Sequence, residues 1–75
     1  MSDLRRHFGT RLQRIRKQRG LTQDQFAELV DISIDFLSLI ERGRSAPSFE
    51  TLERIGKKLK MPVSELFTFE PPLKK

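Results

Sequence analysis

The amino-acid sequence predicts an all-α fold of five short helices, and two features of the chain support this prediction. Apolar residues recur at spacings of three and four along most of the chain, as they do on the buried face of an α-helix. No segment has the alternating pattern rich in β-branched residues that indicates a strand. Residues that cap or end helices divide the chain into five segments without a repeat or a linker. The 75 residues are therefore expected to form one small domain.

The first two helices are bounded by recognisable capping residues. Ser2 or Asp3 is the expected N-cap of the first helix, which ends before Gly20 because glycine favours helix ends. Thr22 begins the second helix, and Gln25 three residues later completes a capping box. The apolar stripe of the first helix consists of Leu4, Phe8, Leu12 and Ile15.

The remaining helices have similar signals. Ser33 is the expected cap of the third helix, which ends at Gly43, and Ser48 caps the fourth helix after a loop. Pro62 suits the first turn of a short fifth helix that runs to Phe67. The fourth helix carries the apolar residues Phe49, Leu52, Ile55 and Leu59.

Residues 23–42 contain two helical patterns separated by a three-residue break. Ala27 is expected where the two helices cross most closely, since a larger side chain there would push them apart. Asp31 falls at the turn, where a left-handed backbone is expected, and Asp is one of the few non-glycine residues that tolerate it. Counted from Gln23 as the first of twenty, the fourth, fifth, eighth, tenth, fifteenth and eighteenth positions are Phe26, Ala27, Val30, Ile32, Leu37 and Ile40. This spacing predicts a helix-turn-helix at residues 22–42, a motif that places its second helix in the major groove of DNA.

The charge of the chain fits a polyanionic partner without establishing one. Fifteen Lys and Arg against ten Asp and Glu give a net charge of +5 and a pI near 10.3. Seven of the fifteen cations lie between Arg5 and Arg19, whereas the segment from Asp24 to Asp35 is acidic. Such a charge is equally typical of a soluble basic domain. It favours double-stranded DNA as a partner only together with the helix-turn-helix pattern.

Several classes of protein are not indicated by the composition. The chain has no cysteine and one histidine, His7, so we expect no disulfide, metal site or cofactor. It has no glycine-rich phosphate loop and no carboxylate pair placed for catalysis, so we expect no enzymatic activity. No apolar run approaches the ~20 residues that span a membrane, and the N-terminus lacks the apolar region of a signal peptide. A cytoplasmic protein is therefore expected.

Three segments, GLTQDQFAELVDIS, FLSLIERGRSAPSFETLERIGKKLKM and PVSELF, carry a resemblance to a known family. They resemble the helix-turn-helix domain of phage repressor and Cro-type (XRE-like) transcriptional regulators, over about Phe8 to Phe67. The resemblance implies a five-helix, repressor-like DNA-binding domain at residues 1–70, followed by a C-terminal tail at 71–75. It also implies a homodimer that binds a palindromic operator as a repressor or operon controller. Some members of the family are antitoxins or controllers of restriction-modification operons, and longer members have a second domain that we do not expect here.

The resemblance assigns structural and DNA-backbone roles. Arg16 and Glu41 match an ion pair that joins the first helix to the end of the third. A charge among apolar neighbours is costly unless it is paired, and two unrelated surface charges are the alternative. Gln23 matches a glutamine that touches a phosphate or supports a base-reading side chain. Ser48 lies at a helix N-terminus that suits an anion, unless it only caps the helix in a solvated loop. The expected backbone contacts are Thr22, Gln23, Arg42, Arg44, Ser45 and Ser48.

The positions expected to read bases depart from the family pattern, in which Gln, Arg, Asn or Lys would be more typical. Ile34 and Leu39 suit thymine methyl groups. Asp35 can accept a hydrogen bond from cytosine N4, although it equally suits the dipole of a helix N-terminus. Specificity is then expected to depend on Arg44 in the minor groove, on DNA shape, or on the arginine-rich first helix. The base contacts implied by the resemblance are Ile34, Asp35, Phe36, Ser38 and Leu39.

Two alternative functions use the same residues. Ile34, Phe36 and Leu39 form an exposed apolar patch, which is typical of a site for a protein partner, as in an antitoxin. The basic first helix is also typical of a segment that lies on anionic membranes, but its narrow apolar stripe is needed for the core. We therefore expect no membrane association.

The C-terminal third is the expected site of homodimerisation. The core-facing stripe of the fourth helix leaves little of the domain to bury the apolar residues that follow it. Two-fold pairing would cover these residues and place two recognition helices ~34 Å apart, one turn of DNA. The alternative is that Phe67 completes the core of the monomer. The expected interface consists of Val63, Phe67, Phe69 and Leu73.

Overall fold

A computed structural model describes residues 3–69 as four α-helices followed by one 3₁₀-helix. These residues contain no strand, so the all-α prediction is confirmed. The elements are α1 (Asp3–Gln18), α2 (Gln23–Val30), α3 (Ile34–Glu41), α4 (Phe49–Leu59) and the 3₁₀-helix (Val63–Phe67).

The fifth predicted helix is therefore a 3₁₀-helix and not an α-helix. The Glu65 amide donates to the Pro62 carbonyl at 2.9 Å, and the Thr68 amide donates to the Glu65 carbonyl at 3.3 Å. Both hydrogen bonds reach back three residues, as in a 3₁₀-helix. A segment of five residues is too short to sustain the four-residue spacing of an α-helix.

The caps predicted for α2, α3 and α4 and the predicted turn between α2 and α3 are confirmed, whereas Ser2, a predicted cap of α1, lies outside the described residues. The Thr22 hydroxyl accepts from the Gln25 amide at 3.1 Å, and the Gln25 side chain accepts from the Thr22 amide at 2.9 Å. Ser33 and Ser48 cap α3 and α4 in the same way, each accepting from the amide three residues later. Each such cap stabilises a helix by about 1 kcal/mol. Asp31 ends α2 with φ 64°, which gives the sharp turn into α3.

One core joins all five elements, and it includes most of the apolar residues predicted to be buried. In the helix-turn-helix, five of the six template positions are buried, and Ile32 is half-buried against the core. The buried apolar residues are Phe8, Leu12, Ile15, Phe26, Ala27, Val30, Leu37, Ile40, Leu52, Ile55, Leu59 and Leu66.

Three residues depart from the predicted core. Leu4 and Phe49 were expected on apolar stripes, but both are exposed, because each lies in the first turn of its helix, beyond the packed part of that helix. Leu66 was not predicted to be buried and is fully buried. With three residues per turn, the 3₁₀-helix places Leu66 on the same side as Val63, which also packs against the core.

Gly9 sets how closely α1 approaches the end of α3. Gly9 is buried, and a methyl group at this position would collide with the backbone carbonyl oxygen of Ile40. Only glycine allows this contact between the two helices without a shift of backbone. Gly9 was not predicted to lie at a helix contact, because a glycine inside a helical pattern does not identify its neighbour.

Three arginines donate hydrogen bonds to backbone carbonyls of other elements. Part of the positive charge of the chain therefore has a structural role. Arg19 donates through Nη2 to the Leu59 carbonyl at the end of α4, at 2.8 Å. Arg54 donates to the carbonyls of Val30 and Asp31 at the end of α2, at 3.3 and 3.2 Å. Arg11 donates through Nε to the carbonyl of Glu65 in the 3₁₀-helix, at 3.0 Å. The Leu59, Val30 and Asp31 carbonyls lie at helix C-termini, where carbonyls lack partners within the helix, whereas the Glu65 carbonyl also accepts from the Thr68 amide.

Candidate nucleic-acid interface

The first turn of α3 is an exposed part of the helix-turn-helix. Ser33 holds the start of this helix by accepting from the Phe36 amide at 3.0 Å. Ile34 and Asp35 follow directly, and both side chains are exposed, Ile34 by 43%. α3 thus presents one apolar and one acidic side chain at the end that enters the major groove in a helix-turn-helix.

The other predicted base-reading residues are less accessible than Ile34. Phe36, Ser38 and Leu39 are half-buried, and Phe36 packs against the core. The predicted apolar patch of Ile34, Phe36 and Leu39 is therefore wrong in its extent, since only Ile34 is exposed. The reason is that Phe36 uses part of its ring to cover the core next to α3.

A buried network fixes the two helices of the motif against α1. Arg16 donates through Nε and Nη2 to the two carboxylate oxygens of Glu41, at 2.8 and 3.1 Å. Gln23 donates through Nε2 to Glu41 Oε1 at 3.0 Å, and Arg16 Nη1 donates to the Leu21 carbonyl at 3.0 Å. The prediction of an Arg16–Glu41 ion pair is confirmed. Because Gln23 is half-buried in this network, it links the start of α2 to the end of α3.

Arg42 and Arg44 lie at the end of α3 with exposed side chains. Arg42 donates through Nε to the Ser38 carbonyl at 3.4 Å, and neither arginine forms an ion pair with another of residues 3–69. Between them, Gly43 has φ +75°, which turns the chain away from α3. Two guanidinium groups are therefore available to an external anion beside α3.

The start of α4 adds an N-terminal helix end to this surface. Ser48 is exposed, accepts from the Thr51 amide at 3.1 Å and donates to Thr51 Oγ1 at 3.1 Å. Ser45 is half-buried in the preceding loop. The partial positive charge and free amides of a helix N-terminus favour a phosphate. The loop from α3 to α4 therefore combines positive charge with hydrogen-bond donors.

Two further arginines reach the same loop from the start of α1. A methyl group at Gly43 would lie 2.7 Å from Cγ of Arg6, so the Arg6 side chain rests against the α3–α4 loop. Arg5 lines a groove with Ala46 and Pro47 of that loop. Arg5 and Arg6 are exposed and were not among the predicted contacts. The sequence indicated only that the first helix is rich in arginine, since its position beside the loop depends on tertiary packing.

Comparison with known proteins places this geometry in a family. The helix-turn-helix (HTH_3) family matches residues 12–66. The chain belongs to the helix-turn-helix family. Its relatives are named as transcriptional regulators, a repressor and a control protein. This helix-turn-helix protein is thus a member of a family of DNA-binding transcription regulators and not of a family of enzymes, and the predicted resemblance is confirmed.

Two curated relatives illustrate the range of this helix-turn-helix family. The chain is 36% identical over 69 residues to control protein C.MunI of Mycoplasma sp, covering 91% of this chain and 93% of that protein. It is 42% identical over 66 residues to the immunity repressor protein of Bacillus phage phi105, covering 88% of this chain. The match spans only 46% of the phage repressor, so the chain corresponds to less than half of that protein.

A solved structure supports the same assignment. The restriction-modification controller protein C.AhdI from Aeromonas hydrophila superposes with a TM-score of 0.78 at 28% identity. The superposition covers 84% of this helix-turn-helix protein and 96% of C.AhdI. The fold of the described residues is therefore that of a helix-turn-helix regulator.

The predicted dimer residues are only partly accessible in this helix-turn-helix protein. Val63 and Phe69 are half-buried against the core, and the ring of Phe69 lies 5.5 Å from that of His7. Phe67 is 36% exposed, with its ring 5.0 Å from that of Phe8. Leu73 lies outside the described residues. Phe67 is therefore the most accessible of the three predicted interface residues that the structure describes.

Across residues 3–69, no group of three or more His, Asp or Glu side chains is placed to hold a metal ion. None of the helices in this part of the chain has the length and apolar character needed to cross a membrane.

Proposed function

We propose that this protein is a homodimeric repressor or operon controller that binds a palindromic operator through the major groove. The observation that carries the proposal is that α3 has an exposed first turn and is followed, at its other end, by the exposed cations Arg42 and Arg44, neither of which pairs with a carboxylate among residues 3–69. An accessible helix for base edges, followed by cations for phosphates, is the arrangement by which a helix-turn-helix binds duplex DNA.

Base reading is proposed for the exposed side of α3. Ile34 is placed to contact thymine methyl groups, and the Asp35 carboxylate is placed to accept from cytosine N4. Ser38 and Leu39, one turn later, are half-buried and contribute contacts only at the edge of the groove. Phe36 contributes the part of its ring that the core leaves accessible. Since no Arg or Gln fork is available, we propose that direct readout supplies only part of the specificity.

Backbone binding is proposed for the positive side of the same surface. Arg42 and Arg44 neutralise phosphates, and the α4 N-terminus at Ser48 binds another, with Ser45 beside it. Arg5 and Arg6 extend this surface from α1 because they lie against the α3–α4 loop. Thr22 and Gln23, at the start of α2, form a second group of proposed backbone contacts.

The proposal of a homodimer rests on the size and surface of the chain. A domain of 75 residues buries a modest fraction of its surface, and an exposed phenylalanine favours association. Two-fold symmetry of the protein would match the symmetry of a palindromic operator. The chain matches the control protein C.MunI over 93% of its length and the controller protein C.AhdI over 96%, which supports a regulatory role.

Selection of duplexes from a random pool tests this function directly. Purified protein is expected to enrich sequences with two inverted half-sites, with affinity that falls steeply as salt is raised. Failure of a demonstrably folded dimer to bind any duplex at low salt would contradict the proposal. That result would favour the alternative of a module that binds a protein partner.

A further inference from the structure

The turn between the two helices of the DNA-binding motif is held by a side chain from α4, outside the motif. Arg54 is half-buried and donates through Nε to the Val30 carbonyl at 3.3 Å. It also donates through Nη2 to the Asp31 carbonyl at 3.2 Å. Both donors belong to one planar guanidinium group, so the two carbonyls are fixed relative to each other and to α4. Arg54 therefore joins α4 to the end of α2 and to the turn that follows it.

The hydrogen bonds within this turn serve other carbonyls than the two that Arg54 contacts. The Asp31 amide donates to the Glu28 carbonyl at 3.3 Å, and the Ile32 amide donates to the Ala27 carbonyl at 3.0 Å. Asp31 has φ 64°, a left-handed backbone that residues other than glycine adopt at a cost. The bonds from Arg54 thus support a strained turn from outside it.

Arg54 also lies where two parts of the proposed DNA surface are connected. Among residues 3–69, α3 packs mainly on α1 and α2, whereas α4 packs on α2 and the 3₁₀-helix. The proposed phosphate site at Ser48 begins α4, and the proposed base-reading turn begins at Ile34, three residues after Asp31. Apart from the loop that joins α3 to α4, these two parts are held together mainly through α2. The bonds of Arg54 are part of that connection.

We propose that Arg54 is a positioning residue for sequence recognition, which fixes the start of α3 relative to the phosphate-binding start of α4. The inference rests on the proposed function, in which Ile34 and Asp35 read bases while Ser48 anchors a phosphate. Base contacts depend on the direction of hydrogen bonds and on close apolar fit, whereas phosphate contacts depend largely on charge. A shift of α3 about the turn would therefore weaken sequence preference and leave general affinity for DNA in place.

Arg54→Lys tests the inference because it keeps the charge and removes the fork. A lysine ammonium is a point charge that does not fix two carbonyls in one plane. The ratio of affinities for the selected operator and for an unrelated duplex is expected to fall about 10-fold, of the order of one lost base contact. Affinity for the unrelated duplex is expected to stay the same. Fluorescence anisotropy measures both affinities, and an unchanged ratio would overturn the inference.

Arg19 provides the matched control. It donates to the Leu59 carbonyl at 2.8 Å, which is the same kind of bond at the opposite end of α4 from Ser48. Arg19→Lys is expected to lower the melting temperature as Arg54→Lys does, but to leave the affinity ratio unchanged. An equal fall of the ratio in both variants would overturn the inference, because general loosening of the domain would then explain the loss.

Asp31→Gly separates stability from positioning. Glycine adopts the left-handed backbone of this turn without the cost that a side chain imposes. Combined with Arg54→Lys, Asp31→Gly is expected to raise the melting temperature toward that of the wild type but not to restore the affinity ratio. The relaxed turn still lacks its bonds to α4. Recovery of the ratio together with the melting temperature would show that Arg54 acts through stability alone, and would overturn the positioning role.

The salt dependence of binding distinguishes positioning from direct contact with DNA. Arg54→Ala removes the charge and is expected to leave the slope of log K against log salt unchanged, since Arg54 binds carbonyls and no phosphate. A slope shallower by about 0.9 would place Arg54 on a phosphate and overturn the inference, with the proposed function intact. A folded wild-type protein that binds no duplex would instead overturn the proposed function, and the inference with it.

Discussion

The guanidinium group of Arg16 and the carboxylate of Glu41 form a two-pronged ion pair in the interior of the domain. The distances are 2.8 Å from Nε to Oε2 and 3.1 Å from Nη2 to Oε1. The two side chains are only 10% and 2% exposed. Gln23 supplies a third hydrogen bond to the carboxylate. This pair consequently ties the first helix to both helices of the DNA-binding motif.

Loss of one member of this pair is expected to be strongly destabilising. Arg16→Ala and Glu41→Ala should each lower the free energy of unfolding by roughly 3–5 kcal/mol, because the surviving charge remains buried without a partner. The double variant should lose much less than the sum of the two single losses. Urea denaturation measures all three.

The ion pair of Arg11 and Glu65 is the matched control. Its closest atoms are 3.7 Å apart and the Glu65 side chain is 53% exposed, so the same cycle should give a coupling below about 1 kcal/mol. Additive losses below about 1 kcal/mol at Arg16 and Glu41 would show that their pair behaves as a surface interaction. The role assigned to the buried network would then be wrong.

A side chain at Gly9 is expected to separate α1 from α3. Gly9→Ala should destabilise the domain by about 1–3 kcal/mol, since the added methyl group meets a backbone carbonyl that cannot rotate away. The measurement is thermal or urea unfolding. Thr10→Ala, an exposed position in the same helix, should change stability by less than about 0.5 kcal/mol. An unchanged or increased stability of the Gly9 variant would contradict the close contact.

The contrast between Gly9 and the capping residues shows which features the sequence was able to predict. Thr22, Ser33 and Asp31 act through their own neighbours along the chain, so local rules were sufficient to place the caps and the turn. The contact of Gly9 with Ile40 joins residues far apart in sequence. The same is true of Arg6 beside Gly43, and neither contact follows from spacing or composition.

Predictions for the apolar residues failed at helix ends for a related reason. The periodicity of a helix identifies a face but not how far along the helix its neighbours extend. Leu4 and Phe49 continue the correct faces beyond the packed region and are exposed. In the candidate site, the family pattern located α3 and its cations. It did not indicate that Phe36 would turn part of its ring toward the core.

The phosphate contacts are expected to appear in the salt dependence of binding. Arg42→Ala, Arg44→Ala and Arg6→Ala should each weaken binding on every duplex and make the slope of log K against log salt shallower by about 0.9. Lys58→Ala is the control, since Lys58 is an exposed cation in the last turn of α4. Fluorescence anisotropy at several salt concentrations provides the slopes. A slope unchanged by all three arginine variants would remove these residues from the interface.

Asp35 is expected to read a base. Asp35→Ala should relax preference at one position of each half-site by ~1–3 kcal/mol, because the carboxylate accepts from cytosine N4. Asp24→Ala is the control, as Asp24 is an acid in the first turn of α2. Binding to all single-base variants of the selected operator measures the preference. A uniform gain in affinity with unchanged preference would mean that Asp35 only favours the helix dipole.

The spacing between half-sites tests most directly whether two copies of this helix-turn-helix bind one operator. Affinity is to be measured for the selected palindrome, for the same half-sites moved apart by half a helical turn, and for one half-site alone. The displaced and single half-sites are expected to bind about 10²-fold or more weakly than the palindrome, because only the original spacing lets both recognition helices engage one face of DNA. Equal affinity for all three duplexes would contradict a two-fold dimer on a palindromic operator.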